Sequence, residues 1–236
     1  MMRQAIILAG GKGTRLRPYT ISLPKPLMPV GDYPILEIMI LQLARSGFSK
    51  ITLAVNHQAD LIKAYFGNGR RFGVEIFYSL EKKPLSTIGP LGFINDLNEN
   101  FLVMNGDILT DLNFEKLFQL HESKKNLLTV STYRRSTKID YGVLDLSSDN
   151  NVIGFKEKPV MDFIVSMGIY VMNKKILKYI PKDKFGFDDL ILLLLAKNEK
   201  VAVDVYDGYW MDIGRPDDFF SANEDFETMR GKFLID

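Results

Sequence analysis

The residues best suited to chemistry lie in a short glycine-rich segment near the N-terminus. It reads Gly10-Gly11-Lys12-Gly13-Thr14-Arg15 and is followed by Pro24-Lys25-Pro26. Glycines let backbone N–H groups approach phosphate oxygens, while Arg15 and Lys25 can neutralise the charge of a triphosphate. The spacing is neither that of a Walker A loop nor that of a dinucleotide-binding fingerprint. A glycine-rich turn also has a purely structural interpretation, but the two cations favour a site for a polyanion.

Two aspartates are candidates for binding a metal ion. Asp107 follows Asn105-Gly106 at the end of an apolar run. Asp212 follows Trp210, and its metal-binding role is implied by the family resemblance described below. Carboxylates are ligands that Mg²⁺ prefers, and a reacting triphosphate needs a cation to neutralise its charge. The alternatives are a turn residue for Asp107 and a turn or helix-capping acid for Asp212. Asp111 is a weaker candidate, because it precedes a predicted helix that it could cap.

Apolar patterning predicts the elements that would position these residues. In the first half, short runs alternate with helical spacing, with strands at 5–8, 51–55, 74–78 and 101–104 and helices at 34–46, 60–66 and 90–97. In the second half, strands are predicted at 127–133, 141–146, 152–157, 164–172 and 201–205, and helices at 188–198 and 216–229. The alternation indicates an α/β fold with a mostly parallel sheet, whose ligands collect at the carboxyl ends of the strands.

Composition excludes several classes of function. The chain is 46% hydrophobic and 25% charged, which is typical of a folded globular domain. Its net charge of +1 provides no field that would favour nucleic acid or an anionic membrane. The absence of cysteine excludes disulfides, thiolate zinc sites and cysteine nucleophiles. No apolar run approaches the span of about 20 residues that crosses a bilayer, and no secretory signal is evident, so we expect a cytoplasmic protein.

These residues resemble the GT-A-like sugar-1-phosphate nucleotidylyltransferases, and most closely the type that acts on mannose 1-phosphate with GTP. The resemblance covers about residues 3–220. Its motifs follow the family's order: 9–20, Pro24-Lys25-Pro26-Leu27, 84–91, Asn105-Gly106-Asp107, Tyr141-Gly142, Phe155-Lys156-Glu157-Lys158-Pro159 and Trp210-Met211-Asp212-Ile213-Gly214. Together they are far more specific than any one of them.

The resemblance implies a fold and a set of site residues. The fold would be Rossmann-like (GT-A-like), with a mixed, mostly parallel sheet flanked by helices in a single domain. Its nucleotide-binding half would span about 1–110 and its sugar-phosphate-binding half about 111–236. Arg15, Lys25 and Asp107 would be catalytic, and Asp107 and Asp212 would hold Mg²⁺. The nucleotide would contact Leu8, Gly10, Gly11, Gly13, Thr14, Arg15, Lys25, Thr87 and Gly89. The sugar phosphate would contact Gly106, Tyr141, Gly142, Glu157, Lys158 and Gly168.

Several of these assignments have a structural alternative. Glu157 and Lys158 could be an exposed ion pair at a strand end before a proline. The glycines could mark close packing. His57 and His121 lack a metal-binding spacing and are interpreted as structural.

The implied reaction joins a nucleoside triphosphate to a sugar 1-phosphate and releases pyrophosphate. Pro24-Lys25-Pro26 resembles the guanylyltransferases, and also the muramate uridylyltransferases, more than it resembles the thymidylyl branch. This resemblance favours GTP as the nucleotide, with a mannose-, heptose- or glucosamine-type sugar. The alternatives are an enzyme that uses UTP or another triphosphate and a regulatory paralogue with little turnover. A glycosyltransferase is less compatible, because no Asp-x-Asp motif surrounds Asp107.

The segment 85–89 departs from the family's Leu-Gly-Thr-Ala-Gly. Ser86 and Ile88 add bulk there, near the expected base. The chain ends soon after Asp212, so we expect no left-handed β-helix domain. A homo-oligomer is compatible with the sequence, which does not determine the oligomeric state.

Overall fold

The computed structural model describes residues 2–56 and 58–234. The strands are β1 (Arg3–Leu8), β2 (Pro29–Val30), β3 (Tyr33–Pro34), β4 (Phe48–Val55), β5 (Glu75–Leu80), β6 (Asn100–Asn105), β7 (Ile108–Thr110), β8 (Leu128–Lys138), β9 (Val143–Leu146), β10 (Val152–Lys156), β11 (Val160–Asn173), β12 (Val201–Tyr206) and β13 (Trp210–Asp212). The α-helices are α1 (Ile35–Arg45), α2 (Ala59–Phe66), α3 (Phe114–Lys124), α4 (Phe187–Ala196) and α5 (Pro216–Phe233).

A seven-stranded sheet organises the chain, in the order β12-β8-β11-β6-β1-β4-β5. Strand β1 pairs in parallel with both β4 and β6. Only β11 runs against its neighbours, since it pairs antiparallel with β6 and with β8. The predicted mixed, mostly parallel α/β sheet is therefore confirmed, and strands from both halves of the sequence share it.

The sheet separates two hydrophobic cores because successive side chains of a strand point to opposite faces. In β1, Ala5 and Ile7 belong to one core and Ile6 belongs to the other. The larger core receives side chains from α1, α3 and α5, and the smaller one from α4. Burial on both faces explains why the inner strands are continuous apolar runs rather than alternating ones.

Local signals set the helix ends. The Asn113 side chain accepts a hydrogen bond from the Lys116 backbone N–H (2.9 Å) and caps α3. Helix α5 starts with Pro216, and the Asp218 carboxylate accepts from the Arg215 N–H (2.8 Å). Helix α1 ends just before Gly47, which adopts a φ of 80° that glycine tolerates best.

The predicted helix at 90–97 is wrong. Only a short 3₁₀ turn, Gly89–Phe93, forms there. The Asp96 carbonyl accepts hydrogen bonds from the Gln4 side chain (3.0 Å) and the Lys50 ammonium (3.0 Å) instead of a helical partner. Tertiary contacts therefore override the local helical pattern.

Strands β8 and β11 are longer than predicted and form an arm. Their pairing continues from Val165–Tyr133 out to Val160–Lys138, beyond the buried part of the sheet. The hairpin of β9 and β10 lies in the chain between the end of β8 and the start of β11, and most of its residues are exposed. Among the residues that the structure describes, no helix is both long and apolar enough to cross a membrane.

Candidate active site

The carboxyl ends of β1, β4 and β6 meet at one edge of the sheet. The Gly106 N–H donates to the Leu8 carbonyl (3.0 Å), and the Ala9 N–H donates to the Ala54 carbonyl (2.8 Å). A Cβ on Gly106 would lie 2.9 Å from the Leu8 oxygen and 3.3 Å from the Ala9 Cα. Only glycine allows this approach, which brings the glycine-rich loop and the Asp107 loop together.

The glycine-rich loop is held in place by its own contacts. Gly13 has a φ of 60°, and its carbonyl accepts a hydrogen bond from the Thr20 hydroxyl (2.7 Å). Thr14 then begins a 3₁₀ turn, Thr14–Leu16, in which Leu16 is buried and Arg15 is exposed. This turn holds the Arg15 side chain on the outside of the loop.

Lys25 and Asp107 form an ion pair at the centre of the site. Lys25 is only 8% exposed, and its ammonium donates to Asp107 Oδ2. The second oxygen of the same carboxylate, Asp107 Oδ1, is buried and has no hydrogen-bond partner. An unpaired buried carboxylate oxygen costs free energy, so this oxygen is available to a cation.

Asp212 lies beside this pair because β13 pairs antiparallel with β7. That register sets Asp212 opposite Ile108, and the Ile213 N–H donates to the Asp107 carbonyl (2.9 Å). Burial and the Asp107 carboxylate raise the pKa of Asp212 above its ordinary value, while Lys25 and Arg15 act in the opposite direction. Arg15 is close as well, since its Nη2 lies 3.2 Å from where a Cβ on Gly214 would be.

The structure thus brings Arg15, Lys25, Asp107 and Asp212 together. Within the described ranges, no cluster of three or more acidic or histidine side chains could hold a metal ion. Two facing carboxylates, one with an unpartnered oxygen, nevertheless suit Mg²⁺, which binds through one or two carboxylates together with substrate phosphates. The catalytic and metal-binding roles of these four side chains stay predictions.

A cavity of about 380 Å³ extends from Asp107 along the glycine-rich loop. Its walls are Leu8, Gly10, Gly11, Lys12, Asn56, Glu81, Pro84, Leu85, Ser86, Thr87, Pro90, Asn105 and Asp107. Four of the predicted nucleotide contacts, Leu8, Gly10, Gly11 and Thr87, therefore share one cavity with Asp107. Thr87 also accepts a hydrogen bond from the Phe187 N–H (2.8 Å) at the start of α4.

Gly89 lies behind the wall of this cavity. A Cβ there would lie 2.6 Å from the Asp183 carbonyl oxygen, so close packing alone requires glycine. Ile88 is fully buried in the smaller core and adds no bulk to the cavity. Ser86 does line the cavity, with a φ of 64° that is uncommon outside glycine.

The predicted sugar-phosphate contacts fall into two groups. Four of them are exposed and lie in the segments that join the arm to the hairpin of β9 and β10: Tyr141, Gly142, Glu157 and Lys158. A Cβ on Gly142 would lie 3.3 Å from a Glu157 oxygen. Within the described residues, no ion pair connects these four residues with Asp107 or Asp212.

Gly106 and Gly168 lie instead near Asp107 and Asp212. Gly168 forms a bulge in β11 at a φ of 73°, and a Cβ there would lie 2.5 Å from Asn105 Nδ2. Beside it, the Trp210 indole N–H donates to the Met167 carbonyl (3.0 Å) and fixes the wall next to Asp212.

Sequence reasoning missed several residues of the site. Asn56, Glu81 and Asn105 line the cavity, and each lies at the carboxyl end of a sheet strand. That position was the available signal, since ligands of such sheets bind beyond these ends. A second cavity of about 380 Å³ adjoins Asp212 and contains Arg135 and Arg215, which no motif indicated.

Two other candidates have structural contacts. Asp111 Oδ1 accepts hydrogen bonds from the Tyr206 hydroxyl and from the Tyr209 N–H (2.7 Å), and α3 is capped by Asn113 rather than by Asp111. His121 is fully buried and contacts the Thr129 hydroxyl (2.9 Å), and burial lowers its pKa to about 4. His57 lies outside the described residues.

Comparison with known proteins assigns the family. Residues 4–229 match the family model described as nucleotidyl transferase. The chain belongs to this family. It is 32% identical to a mannose-1-phosphate guanyltransferase from Kluyveromyces lactis over 229 residues, which are 93% of this chain and 63% of that protein.

Other proteins similar to this chain differ in the nucleotide that their names or titles state. A UTP–glucose-1-phosphate uridylyltransferase from Synechocystis is 34% identical over 241 residues, covering 93% of this chain and 62% of that protein. The structure of HddC from Yersinia pseudotuberculosis complexed with GMP-PN superposes with a TM-score of 0.71 at 28% identity, covering 95% of this chain and all of that one. The chain therefore spans less than two thirds of the two curated relatives, and membership alone does not fix the nucleotide or the sugar.

Proposed function

We propose that this chain transfers a nucleotidyl group from a nucleoside triphosphate to a sugar 1-phosphate. The observation that carries the proposal is the meeting of Arg15, Lys25, Asp107 and Asp212. Of these residues, Asp107 also lines the cavity along the glycine-rich loop. The curated relatives quoted above are named for this type of reaction.

In the proposed reaction, an oxygen of the sugar phosphate attacks the α-phosphorus of the triphosphate in line. The new P–O bond forms as the bond from the α-phosphorus to the bridging oxygen breaks, and pyrophosphate leaves with that electron pair. The attacking phosphate is already anionic near neutral pH, so no general base is required. Arg15 and Lys25 would stabilise the charge that develops, and the glycine-rich loop would orient the triphosphate.

Asp107 and Asp212 would hold a divalent cation, which we propose is Mg²⁺. When bound, it would neutralise the triphosphate next to the reacting phosphorus. Lys25 now pairs with Asp107 Oδ2, and Asp107 Oδ1 is the oxygen left for the cation. Lys25 would exchange this carboxylate for a phosphate oxygen when the triphosphate enters.

We propose that residues 111–236 bind the sugar phosphate and residues 1–110 the nucleotide. Lys158 would pair with the sugar's phosphate and Glu157 would accept hydrogen bonds from hydroxyls, with Tyr141 and Gly142 beside them on the arm. Both charged side chains are exposed and free of ion pairs within the described residues, which keeps them available to a ligand. Gly106 and Gly168 would let the sugar approach the backbone.

GTP is the proposed nucleotide and a mannose-, heptose- or glucosamine-type 1-phosphate the proposed acceptor. The K. lactis relative is a guanyltransferase, and the Yersinia structure contains GMP-PN. The test is a screen of GTP, UTP, dTTP and ATP against mannose, heptose, glucose and glucosamine 1-phosphates with Mg²⁺, measured by pyrophosphate release. We expect release with GTP and with mannose, heptose or glucosamine 1-phosphate. An absence of release from every pair would refute the proposed transfer.

A further inference from the structure

Three arginine side chains from distant parts of the chain line the cavity beside Asp212. They are Arg15, Arg135 and Arg215, and the cavity measures about 380 Å³. Arg15 belongs to the short turn that follows the glycine-rich loop, Arg135 belongs to β8, and Arg215 directly precedes α5. Only the folded chain brings them to one cavity, so no contiguous motif accounts for the cluster.

Strand alternation places Arg135 on the cavity side of the arm. It lies two residues beyond Tyr133, which also lines the cavity and whose ring centroid is 5.4 Å from that of Trp210. Alternate residues of a strand share a face, so Tyr133 and Arg135 point to the same side. Arg134, between them, points to the opposite face of the strand.

The loop before α5 fixes the position of Arg215. Asp218 Oδ2 accepts hydrogen bonds from the Gly214 N–H (3.1 Å) and from the Arg215 N–H (2.8 Å). Gly214 is also close to Arg15, whose Nη2 lies 3.2 Å from where a Cβ on Gly214 would be. Gly214 therefore allows the guanidinium of Arg15 to approach the start of α5.

The positive charge of this cluster is not matched by acids within the protein. Among the residues that the structure describes, none of the three arginines forms an ion pair. Of the two acids that line the cavity, Asp218 accepts from backbone N–H groups, and Asp212 also interacts with Asp107 and Lys25. Each guanidinium presents five N–H donors in a fork that matches phosphate oxygens. The cavity therefore suits a phosphate-bearing anion.

The position of the cavity indicates which phosphates it would receive. Asp107 lines the nucleotide cavity and Asp212 lines this one, and the Ile213 N–H joins the two loops through the Asp107 carbonyl (2.9 Å). With the nucleoside on the Asp107 side, the phosphates beyond the α-phosphorus would extend toward Asp212 and Arg15. Two linked phosphates carry more charge than the single phosphate of the acceptor, so they match three cations better.

We propose that Arg135 and Arg215, together with Arg15, bind the β- and γ-phosphates and hold them as pyrophosphate leaves. This role rests on the proposed function, because it requires a triphosphate whose α-phosphorus lies at Asp107 and Asp212. It adds two residues from the second half of the chain to the binding of the nucleotide, which the glycine-rich loop would otherwise perform alone.

The test compares the equilibrium binding of inorganic pyrophosphate and of GMP, each with Mg²⁺ and without a sugar phosphate, by calorimetry. Pyrophosphate contains the proposed ligand alone, and GMP contains the rest of the nucleotide without it. We expect Arg135→Gln and Arg215→Gln each to weaken the binding of pyrophosphate about 10-fold, because each loses charge-assisted hydrogen bonds. Both variants should bind GMP as the wild type does. Arg215→Lys, which keeps the charge but not the fork, should lose less than Arg215→Gln.

Arg134→Gln is the matched control, since Arg134 is exposed, adjoins Arg135 and lies on the other face of β8. It removes the same charge from the same strand and should bind pyrophosphate as the wild type does. Unchanged pyrophosphate affinity in both Arg135→Gln and Arg215→Gln, or an equal loss in Arg134→Gln, would overturn the proposed role. Weaker binding of mannose 1-phosphate with unchanged binding of pyrophosphate would overturn it too, because the cavity would then belong to the acceptor.

Binding and turnover separate this role from the proposed function. Turnover of GTP with a sugar 1-phosphate, with the same pyrophosphate affinity in all variants, would refute the role of the arginines alone. The expected loss of pyrophosphate affinity, with no turnover of any substrate pair by the wild type, would refute the transfer and retain the anion site.

Discussion

Substituting Gly106 by alanine should damage the site through the backbone, without removing any functional group. The added Cβ would lie 2.9 Å from the Leu8 carbonyl oxygen and 3.3 Å from the Ala9 Cα. Both neighbours are main-chain atoms, one at the end of β1 and one in the loop that leads to Gly10, so neither can rotate away as the end of a side chain would. Relief of the overlap must therefore move the Asp107 loop away from β1 by several tenths of an ångström.

The expected magnitude follows from that displacement. A misplacement of about 1 Å can cost about 100-fold in rate, so a shift of several tenths should lower kcat/KM about 10-fold. Overpacking of this kind also destabilises a protein by about 1–3 kcal/mol. The assay is pyrophosphate release with the best substrate pair, measured beside the free energy of unfolding in denaturant.

Gly231→Ala is the control for the Gly106 substitution. Gly231 lies in α5, and a Cβ there would meet no atom within 4 Å. The control should retain activity and gain up to about 1 kcal/mol of stability, because alanine favours a helix over glycine. A Gly106→Ala variant with wild-type kcat/KM and stability would show that the contact with Leu8 does not hold the Asp107 loop.

Two further substitutions test the stability arguments. Ser86→Gly should raise the melting temperature by about 2–4 °C, because it relieves about 1 kcal/mol of strain at a φ of 64°; an unchanged or lower value would contradict this. For His121, burial lowers the folded-state pKa from 6.5 to about 4, so the unfolded chain binds more protons between these values and stability falls as the pH drops through this window. The His121→Asn variant keeps a polar atom near Thr129. Between pH 7 and 4, its free energy of unfolding, measured in denaturant, should fall by about 3 kcal/mol less than that of the wild type. An equal fall in both proteins would refute the assignment.

The sequence predicted the parts of the fold that depend on local patterning. The apolar run at 5–8 and the helical spacing at 34–46 correspond to β1 and α1 because burial there follows the period of each element. The prediction of a helix at 90–97 is wrong, because the Asp96 carbonyl accepts hydrogen bonds from Gln4 in β1 and Lys50 in β4, both distant in the chain. A single sequence contains no signal of such long-range competition.

The candidate site was predicted where motifs are contiguous and missed where topology alone creates proximity. The glycine-rich loop and Asp107 could be recognised from their neighbours in the chain. Glu81 and Asn56 reach the same cavity only because β4 and β5 are parallel neighbours that end at one edge. The length of β8 and β11 was underestimated because pairing with each other, rather than burial, extends the arm.

The most direct test of the proposed transfer is pyrophosphate release by the Asp107→Asn variant. Asparagine keeps the shape of the side chain but removes the charge that pairs with Lys25 and would hold the cation. Asp149→Asn, in an exposed turn, is the control. With folding verified by circular dichroism, we expect Asp107→Asn to lose at least about 100-fold in kcat and Asp149→Asn to match wild type. Wild-type turnover in Asp107→Asn would contradict the proposal that Asp107 anchors the cation at the reacting phosphate.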